Sequence, residues 1–204
     1  MWNDGLHQDA THLERLARPK SHRRLHLGCG KKNIPGFFHV DQAAHPHVDV
    51  QGAVENLHFV ADNSVELIYA CHILEHFARA EAGSVLREWN RVLMPGGVLR
   101  LAVPDFAAVC QQYQEEGLQN GLSGLLGLLV GGQRDIYDYH KMVFDEPLLT
   151  GMLKENGFDR VQRWDWRWTE HAHIDDYSQA YLPHMDKDNG RLMSLNLEAR
   201  KKEG

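Results

Sequence analysis

The sequence has little cysteine and no long apolar run, and both absences narrow the class of protein. The three cysteines, Cys29, Cys71 and Cys110, form no CxxC pair, which is typical of reduced thiols in a cytoplasmic protein rather than of a disulfide framework. The longest apolar stretch, residues 124–132, is too short and too rich in glycine to span a bilayer, and the N-terminus has no apolar leader. We therefore expect a cytoplasmic, unprocessed protein without a membrane span.

The sequence also lacks an excess of basic residues. Lys and Arg number 22 against 28 Asp and Glu, a net charge of −6 with neutral histidine, so bulk charge does not favour contacts with many phosphates. We expect no nucleic-acid partner and no metal, and the composition leaves the oligomeric state open. A hydrophobic fraction of 43% and a charged fraction of 25% are typical of a globular protein and exclude a disordered chain.

Neither a repeat nor a low-complexity linker divides the chain, which predicts an N-terminal extension over residues 1–24 and a single domain over residues 25–204. Short apolar runs predict buried strands, and apolar positions at helical spacing predict helices. Strands are predicted at residues 25–28, 36–42, 65–70, 98–103 and 160–166, with a weaker one near Asp49, and helices from Ser84, after Asp105 and over residues 145–156.

The order of these elements predicts an α/β fold with a Rossmann-like, doubly wound, mostly parallel sheet. Alternating apolar and polar residues in MSLNLEARK predict an antiparallel C-terminal edge strand. Ligands of such sheets bind beyond the carboxyl ends of the strands. Gly28 and Gly30 follow the first strand and leave room for a ligand against the backbone, and Asp41 ends the second strand, where a carboxylate can accept hydrogen bonds from ribose hydroxyls.

Four blocks in order make the pattern recognisable: LHLGCG, FFHVD, DNSVELIYACHILEHF and LREWNRVLMPGGVLRLAVPD. Together they resemble the class I S-adenosylmethionine-dependent methyltransferases, in particular the compact bacterial group with the methyltransferase type 11 pattern. The segment between Gly30 and Phe37 is too short for a full helix and contains Pro35, so a loop is predicted there, as in that group.

The resemblance implies S-adenosylmethionine as the cofactor and implies roles for individual residues. Gly28, Cys29 and Gly30 would lie under the methionine part, Asp41 would bind the ribose, and Gln42, Ala53 and Val54 would contact the adenine. The methyl group would lie beside the end of the fourth strand, next to Ala70, Cys71 and His72.

Four other patterns invite a functional interpretation. His72-Ile73-Leu74-Glu75-His76 spells HxxEH, a zinc-hydrolase pattern that requires a long helix, and we favour instead a capping or packing pair of Glu75 and His76 at a helix start. His171-Ala172-His173 is predicted to lie in an exposed polar loop. The alternation of Trp164, Trp166 and Trp168 predicts that they share one face of a strand. That face would belong to the core or form an aromatic wall for an acceptor. The glycine-rich residues 121–132 suggest a mobile lid or an interface segment over the acceptor site.

The expected function is methyl transfer from S-adenosylmethionine to a small molecule or a glycan intermediate. If the acceptor is a hydroxyl, His72 or His140 is a candidate base. The alternatives are a non-catalytic Rossmann-like binding module, a nicotinamide-dependent oxidoreductase and an HxxEH zinc hydrolase. The sequence names neither the acceptor nor the methylated atom.

Overall fold

The structure, a computed structural model, describes residues 22–117 and 121–204. The predicted N-terminal extension therefore lies outside the described residues as far as residue 21. Within these described residues, seven strands form one sheet and two form a short separate ribbon. In chain order the strands are β1 (Arg24–Leu27), β2 (Phe38–Asp41), β3 (Val50–Gln51), β4 (Val65–Cys71), β5 (Leu93–Pro104), β6 (Phe158–Arg163), β7 (Tyr181–Leu182), β8 (Arg191–Leu192) and β9 (Ser194–Lys201).

The helices follow the capping signals of the sequence. They are α1 (Arg79–Val92), α2 (Phe106–Gln112), which continues into a π-helical turn at Tyr113–Gly117, α3 (Leu126–Val130) and α4 (Glu146–Glu155). The helices predicted after Asp105 and over residues 145–156 are present, and the Asp105 and Asp145 carboxylates cap them. Helix α1 begins five residues before Ser84, because the Glu81 carboxylate accepts a hydrogen bond from the backbone N–H of Ala78 at 2.8 Å.

The sheet order is β3-β2-β1-β4-β5-β9-β6, and every neighbouring pair is parallel except those that include β9. The doubly wound, mostly parallel sheet and its antiparallel last strand are confirmed. The predicted edge position of β9 is wrong, because β9 pairs with both β5 and β6. Its polar residues Ser194 and Asn196 are buried and hydrogen-bonded to each other at 2.8 Å, so the alternation reflects a polar interior and not a solvent-exposed face.

The predicted tryptophan strand is also corrected. β6 ends at Arg163. Trp166–Trp168 forms a 3-10 turn, and the Asp165 carboxylate caps it by accepting a hydrogen bond from the backbone N–H of Arg167. The indole N–H of Trp164 donates to the Leu101 carbonyl at 3.1 Å, whereas Trp168 is 87% exposed. The three tryptophans therefore do not share one strand face.

The apolar core lies between the sheet and its covering helices. On α1 the residues that face the sheet are fully buried, with Trp89 the largest. On α4, Leu149 and Leu153 are fully buried on the same core. Among the described residues, no helix has the length and apolar character needed to cross a membrane.

Candidate functional site

The two glycines after β1 differ in the space that surrounds them. Gly28 has a φ of +62°, and a Cβ there would lie 1.9 Å from Cδ1 of Ile73. Gly30 has a φ of +51°, and a Cβ there would meet no described atom within 4 Å. Ile73 therefore fills the space where a Gly28 side chain would lie and leaves only the Gly28 backbone to a ligand, whereas Gly30 borders open space that a ligand can occupy.

The connection between β1 and β2 is a loop, as predicted. Residues 28–37, all of them described, contain turns and no helix. A bound dinucleotide places its pyrophosphate at the N-terminus of a helix in this position. The geometry therefore disfavours the nicotinamide-dependent alternative.

Cys29 and Asp41 face in different directions at this edge. The Cys29 side chain is 3% exposed, and its Sγ lies 3.7 Å from Nε2 of His47. Only the backbone of Cys29 is therefore available to a ligand. Asp41 is half-buried at the end of β2, and its Oδ2 and Oδ1 accept hydrogen bonds at 2.7 Å from the backbone N–H groups of Gly30 and Ala43.

The Asp41 carboxylate fits the cofactor that the sequence predicts. A carboxylate has about four acceptor positions, and the two backbone bonds use one on each oxygen. One acceptor position per oxygen remains for the two vicinal hydroxyls of a ribose. Together with the open space at Gly30, this leaves both elements that a nucleoside-containing cofactor needs.

The loop after β3 is fixed beside Asp41. Gly52 N donates to the Asp41 carbonyl at 2.9 Å, and the indole N–H of the buried Trp89 donates to the Val54 carbonyl at 2.9 Å. Val54 is buried and Ala53 half-buried, whereas Gln42 is exposed. These residues carry no acid, so adenine contacts here would come from backbone and apolar atoms.

At the end of β4 the backbone turns sharply. Ala70 is buried, Cys71 ends the strand, and His72 has a φ of +54° with its N–H bonded to the Ala102 carbonyl at 2.8 Å. A positive φ is uncommon for histidine and is held by surrounding contacts. The turn directs the His72 ring between Glu75 and Ser194.

The His72 ring is held on both sides. Its Nε2 lies 3.1 Å from Oγ of Ser194, and its Nδ1 lies 3.3 Å from Oε1 of Glu75. Burial lowers the pKa of His72 to about 3. A ring with so low a pKa is a weak proton acceptor at neutral pH, so the geometry disfavours His72 as a general base.

Glu75 packs in the interior, one of the two predicted alternatives, and caps no helix. It lies in a single 3-10 turn, Leu74–His76, and not at the start of α1, so it is no cap of that helix. The side chain is fully buried, and neither carboxylate oxygen has a hydrogen-bond partner among the described residues. Burial raises the pKa of Glu75 to about 8. The short turn also lacks the long helix of an HxxEH zinc hydrolase.

His140 and His76 lie against Glu75. Nε2 of His140 is 4.0 Å from Oε1 of Glu75, and the rings of His76 and His140 meet edge to face at 4.9 Å between centroids. Burial lowers the pKa of both histidines. The chain thus brings HxxEH together with a histidine more than sixty residues later, which only the fold shows.

His171 does not lie in an exposed loop, as the sequence analysis expected. It is 2% exposed, and its ring packs against Tyr69 at 4.6 Å between centroids. Burial lowers the pKa of His171 to about 4, and Asp176 accepts a hydrogen bond from the Tyr69 hydroxyl at 2.6 Å. This segment is therefore a packing element beneath the sheet.

A cavity opens beyond the ends of β6 and β9. Its lining combines aromatic, cationic and polar side chains, and Ser194 is the member that also contacts His72. The lining residues are Arg163, Trp164, Asp165, Trp166, Arg167, Leu192, Ser194 and Asn196.

Comparisons with known proteins agree with this arrangement. Residues 35–101 match the family model Methyltransf_11, a methyltransferase domain. No curated protein sequence matches the chain.

Solved structures share the fold at low sequence identity. One is Burkholderia thailandensis 1,6-didemethyltoxoflavin-N1-methyltransferase with bound 1,6-didemethyltoxoflavin and S-adenosylhomocysteine, at 17% identity and a TM-score of 0.54, with 96% of this chain and 78% of that chain covered. A SAM-dependent methyltransferase from Archaeoglobus fulgidus is 14% identical with a TM-score of 0.53, over 94% and 92% of the two chains. A Thermotoga maritima protein described as a possible histamine N-methyltransferase is 15% identical with a TM-score of 0.52, over 94% and 87%.

The sheet order, the glycine loop facing an acidic strand end and the matched domain agree with one another. Residues 35–101 thus match a methyltransferase domain, and the described chain shares the fold of solved S-adenosylmethionine-dependent methyltransferases.

Proposed function

We propose that this chain is an S-adenosylmethionine-dependent methyltransferase that acts on a small polar molecule, glycan intermediates included, which binds beside the ends of β4 and β5. The observation that carries the proposal is the contact of 3.1 Å between Nε2 of His72 and Oγ of Ser194. It connects the residue that directly follows β4, where the methyl group is expected, with a member of the cavity lining.

The cofactor side of the proposal rests on three residues. The backbone at Gly28 and Gly30 would lie under the methionine part, and the remaining acceptor positions of Asp41 would bind the ribose hydroxyls. When bound, the sulfonium supplies an electrophilic methyl group. The task of the protein is then to align the acceptor with that group and to exclude water.

Contacts within the chain hold the residues on the acceptor side. The indole N–H of Trp166 donates to the Tyr181 hydroxyl at 3.3 Å, and the guanidinium of Arg167 lies 4.8 Å from the Trp166 ring centroid. A preorganised wall loses less conformational entropy on binding. Its mixture of aromatic and polar groups suits a polar acceptor of small size.

The proton balance favours certain acceptors. Because the pKa of His72 is about 3, this ring cannot remove a proton efficiently from an aliphatic hydroxyl at neutral pH. A carboxylate or a neutral amine needs no base before it attacks a methyl group. These two acceptor classes therefore come first in a screen.

The test is methyl transfer from S-adenosylmethionine with a labelled methyl group to a panel of small carboxylates, amines, phenols and sugar derivatives, beside bulk protein and RNA. The expected result is labelling of one or more small molecules. Trp166→Ala is expected to raise the KM for the acceptor and to leave the affinity for S-adenosylhomocysteine unchanged, with the exposed Trp168→Ala as the matched control.

Two results would contradict the proposal. Labelling of protein or RNA alone would mean that the acceptor is a macromolecule and not a small molecule. Tight binding of S-adenosylhomocysteine without transfer to any acceptor would favour the non-catalytic binding module.

A further inference from the structure

Glu75, His76 and His140 form a compact donor cluster outside the proposed cofactor loops. One donor atom from each residue lies within 4.8 Å of the donor atoms of the other two. Glu75 is fully buried, and the two histidines are half-buried. Two imidazoles and one carboxylate are a donor set that binds divalent transition metals.

The two histidines are already oriented for ligation. Nδ1 of His76 lies 3.1 Å from the Tyr139 carbonyl, and Nδ1 of His140 lies 3.0 Å from the Leu128 carbonyl. A carbonyl oxygen only accepts, so each Nδ1 carries the hydrogen and each Nε2 presents its lone pair. Metal-binding histidines are commonly fixed in this way by a carbonyl or a carboxylate behind them.

The Glu75 carboxylate is unsatisfied in hydrogen bonds within the part of the chain that the structure describes. Both oxygens are buried without a hydrogen bond among the described residues, and an unsatisfied buried carboxyl group is costly. Its backbone is nevertheless fixed, because the Glu75 carbonyl accepts from Lys141 N at 2.8 Å and from Met142 N at 3.2 Å. These bonds hold the turn that carries Glu75 against the segment that carries His140.

We propose that Glu75, His76 and His140 bind a divalent transition-metal cation of the Zn²⁺ type. The cation would satisfy the Glu75 carboxylate and use the free Nε2 atoms of both histidines. His72 is a positioning residue, since its Nδ1 lies 3.3 Å from Oε1 of Glu75. Three protein ligands leave a coordination position open, as in catalytic rather than structural zinc sites.

The location gives this site a consequence for the reaction. His72 lies between the cluster and Ser194 of the cavity, so a cation here would stand on the acceptor side. It could bind an acceptor oxygen and lower the pKa of a hydroxyl. This consequence rests on the proposed function, whereas cation binding itself does not.

The experiment uses the untagged full-length protein, stripped of metal with a chelator and dialysed. Zn²⁺ alone is titrated against a chromogenic competitor, and Co²⁺ is added separately to record its visible absorption. The variants are Glu75→Gln and His140→Gln, with His173→Gln as the matched control because His173 is an exposed histidine outside the cluster. Thermal unfolding and S-adenosylhomocysteine binding are measured on each sample.

The expected result is one Zn²⁺ per chain and a Co²⁺ spectrum of low coordination number. Loss of an outer-shell partner weakens metal binding about 10- to 100-fold, and we expect the loss of Glu75 or His140 as a ligand to weaken it at least as much. The control should change the affinity less than twofold. If Glu75→Gln does not fold, His140→Gln alone carries the comparison.

Two results would overturn the inference. The native chain would bind no stoichiometric Zn²⁺, or both cluster variants would bind Zn²⁺ as tightly as the native chain. Either would mean that Glu75 is a buried protonated acid beside His72. Intact S-adenosylhomocysteine binding in the same samples would show that the proposed function survives that failure.

Discussion

Oδ2 of Asp41 accepts a hydrogen bond from the backbone N–H of Gly30 at 2.7 Å, which joins the ends of β1 and β2. The same carboxylate also accepts from Ala43 N. The acid thus shapes the loop that would cradle the cofactor and keeps an acceptor position on each oxygen for the ribose. Loop geometry and ligand binding therefore depend on one side chain.

Asp41→Ala is expected to weaken S-adenosylhomocysteine binding. Hydrogen bonds to a charged group are worth about 1.5–3 kcal/mol, or one to two decades in affinity. Calorimetric titration measures this directly, and Gln42→Ala is the control because Gln42 is exposed beside the same loop. Unchanged affinity of Asp41→Ala in a folded protein would refute the role of Asp41.

Gly28→Ala is expected to destabilise the fold more than Gly30→Ala. Both positions have positive φ, but only at Gly28 would the new Cβ clash, at 1.9 Å from Cδ1 of Ile73. The shared backbone strain costs about 1–2 kcal/mol, and the clash adds to it at Gly28. Thermal unfolding of the two variants measures the difference.

The double variant Gly28→Ala with Ile73→Ala tests the cause. If the clash is responsible, shortening Ile73 should make the cost of Gly28→Ala equal to that of Gly30→Ala. An unchanged cost in the double variant would contradict this explanation. Gly30→Ala should instead weaken S-adenosylhomocysteine binding, because its methyl group would enter the open space.

Trp89→Phe is expected to destabilise the protein and to loosen the loop after β3. The change keeps most of the buried apolar surface but removes the indole N–H that donates to the Val54 carbonyl. A buried carbonyl without its partner costs about 1–3 kcal/mol. Denaturant unfolding measures the stability, and we expect a parallel loss of S-adenosylhomocysteine affinity.

A different outcome for Trp89→Phe would change the interpretation. Lower stability with unchanged cofactor affinity would mean that the loop of Ala53 and Val54 does not contact the adenine. Leu86→Met is a suitable control, because Leu86 is also fully buried on α1 and the swap conserves volume with no hydrogen bond involved.

The stability should fall as the pH is lowered from about 6.5 to about 4. Burial lowers the pKa of His171 from 6.5 to about 4 in the folded chain, so the unfolded chain takes up the proton first and is favoured below pH 6.5. The pKa of the buried His26 is lowered in the same direction. Unfolding followed from pH 8 to pH 4 measures the slope.

His171→Phe should reduce this pH dependence, because phenylalanine fills the aromatic site beside Tyr69 and does not titrate. The exposed His173→Phe is the matched control and should leave the slope unchanged. An equal slope in His171→Phe and in the native chain would assign the effect to other groups.

Local patterns were sufficient for the strands and helix caps that depend on neighbouring residues. The helices predicted after Asp105 and over residues 145–156 both form, because the N-cap bonds of Asp105 and Asp145 reach only two or three residues along the chain. The same holds for the loop that replaces a helix before Phe37. For β9 the pattern misled, because Ser194 and Asn196 face other protein groups and not water.

The sequence by itself determined the doubly wound sheet, its antiparallel last strand and the resemblance to a methyltransferase domain, since periodicity and motif order are written along the chain. Only the tertiary structure decided which side chains meet. Glu75 and His140 are 65 positions apart in numbering, and no local rule relates them, yet their Oε1 and Nε2 lie 4.0 Å apart. Burial, and with it each shifted pKa, follows from packing between distant segments, and so the charge state of the site became visible only in the fold.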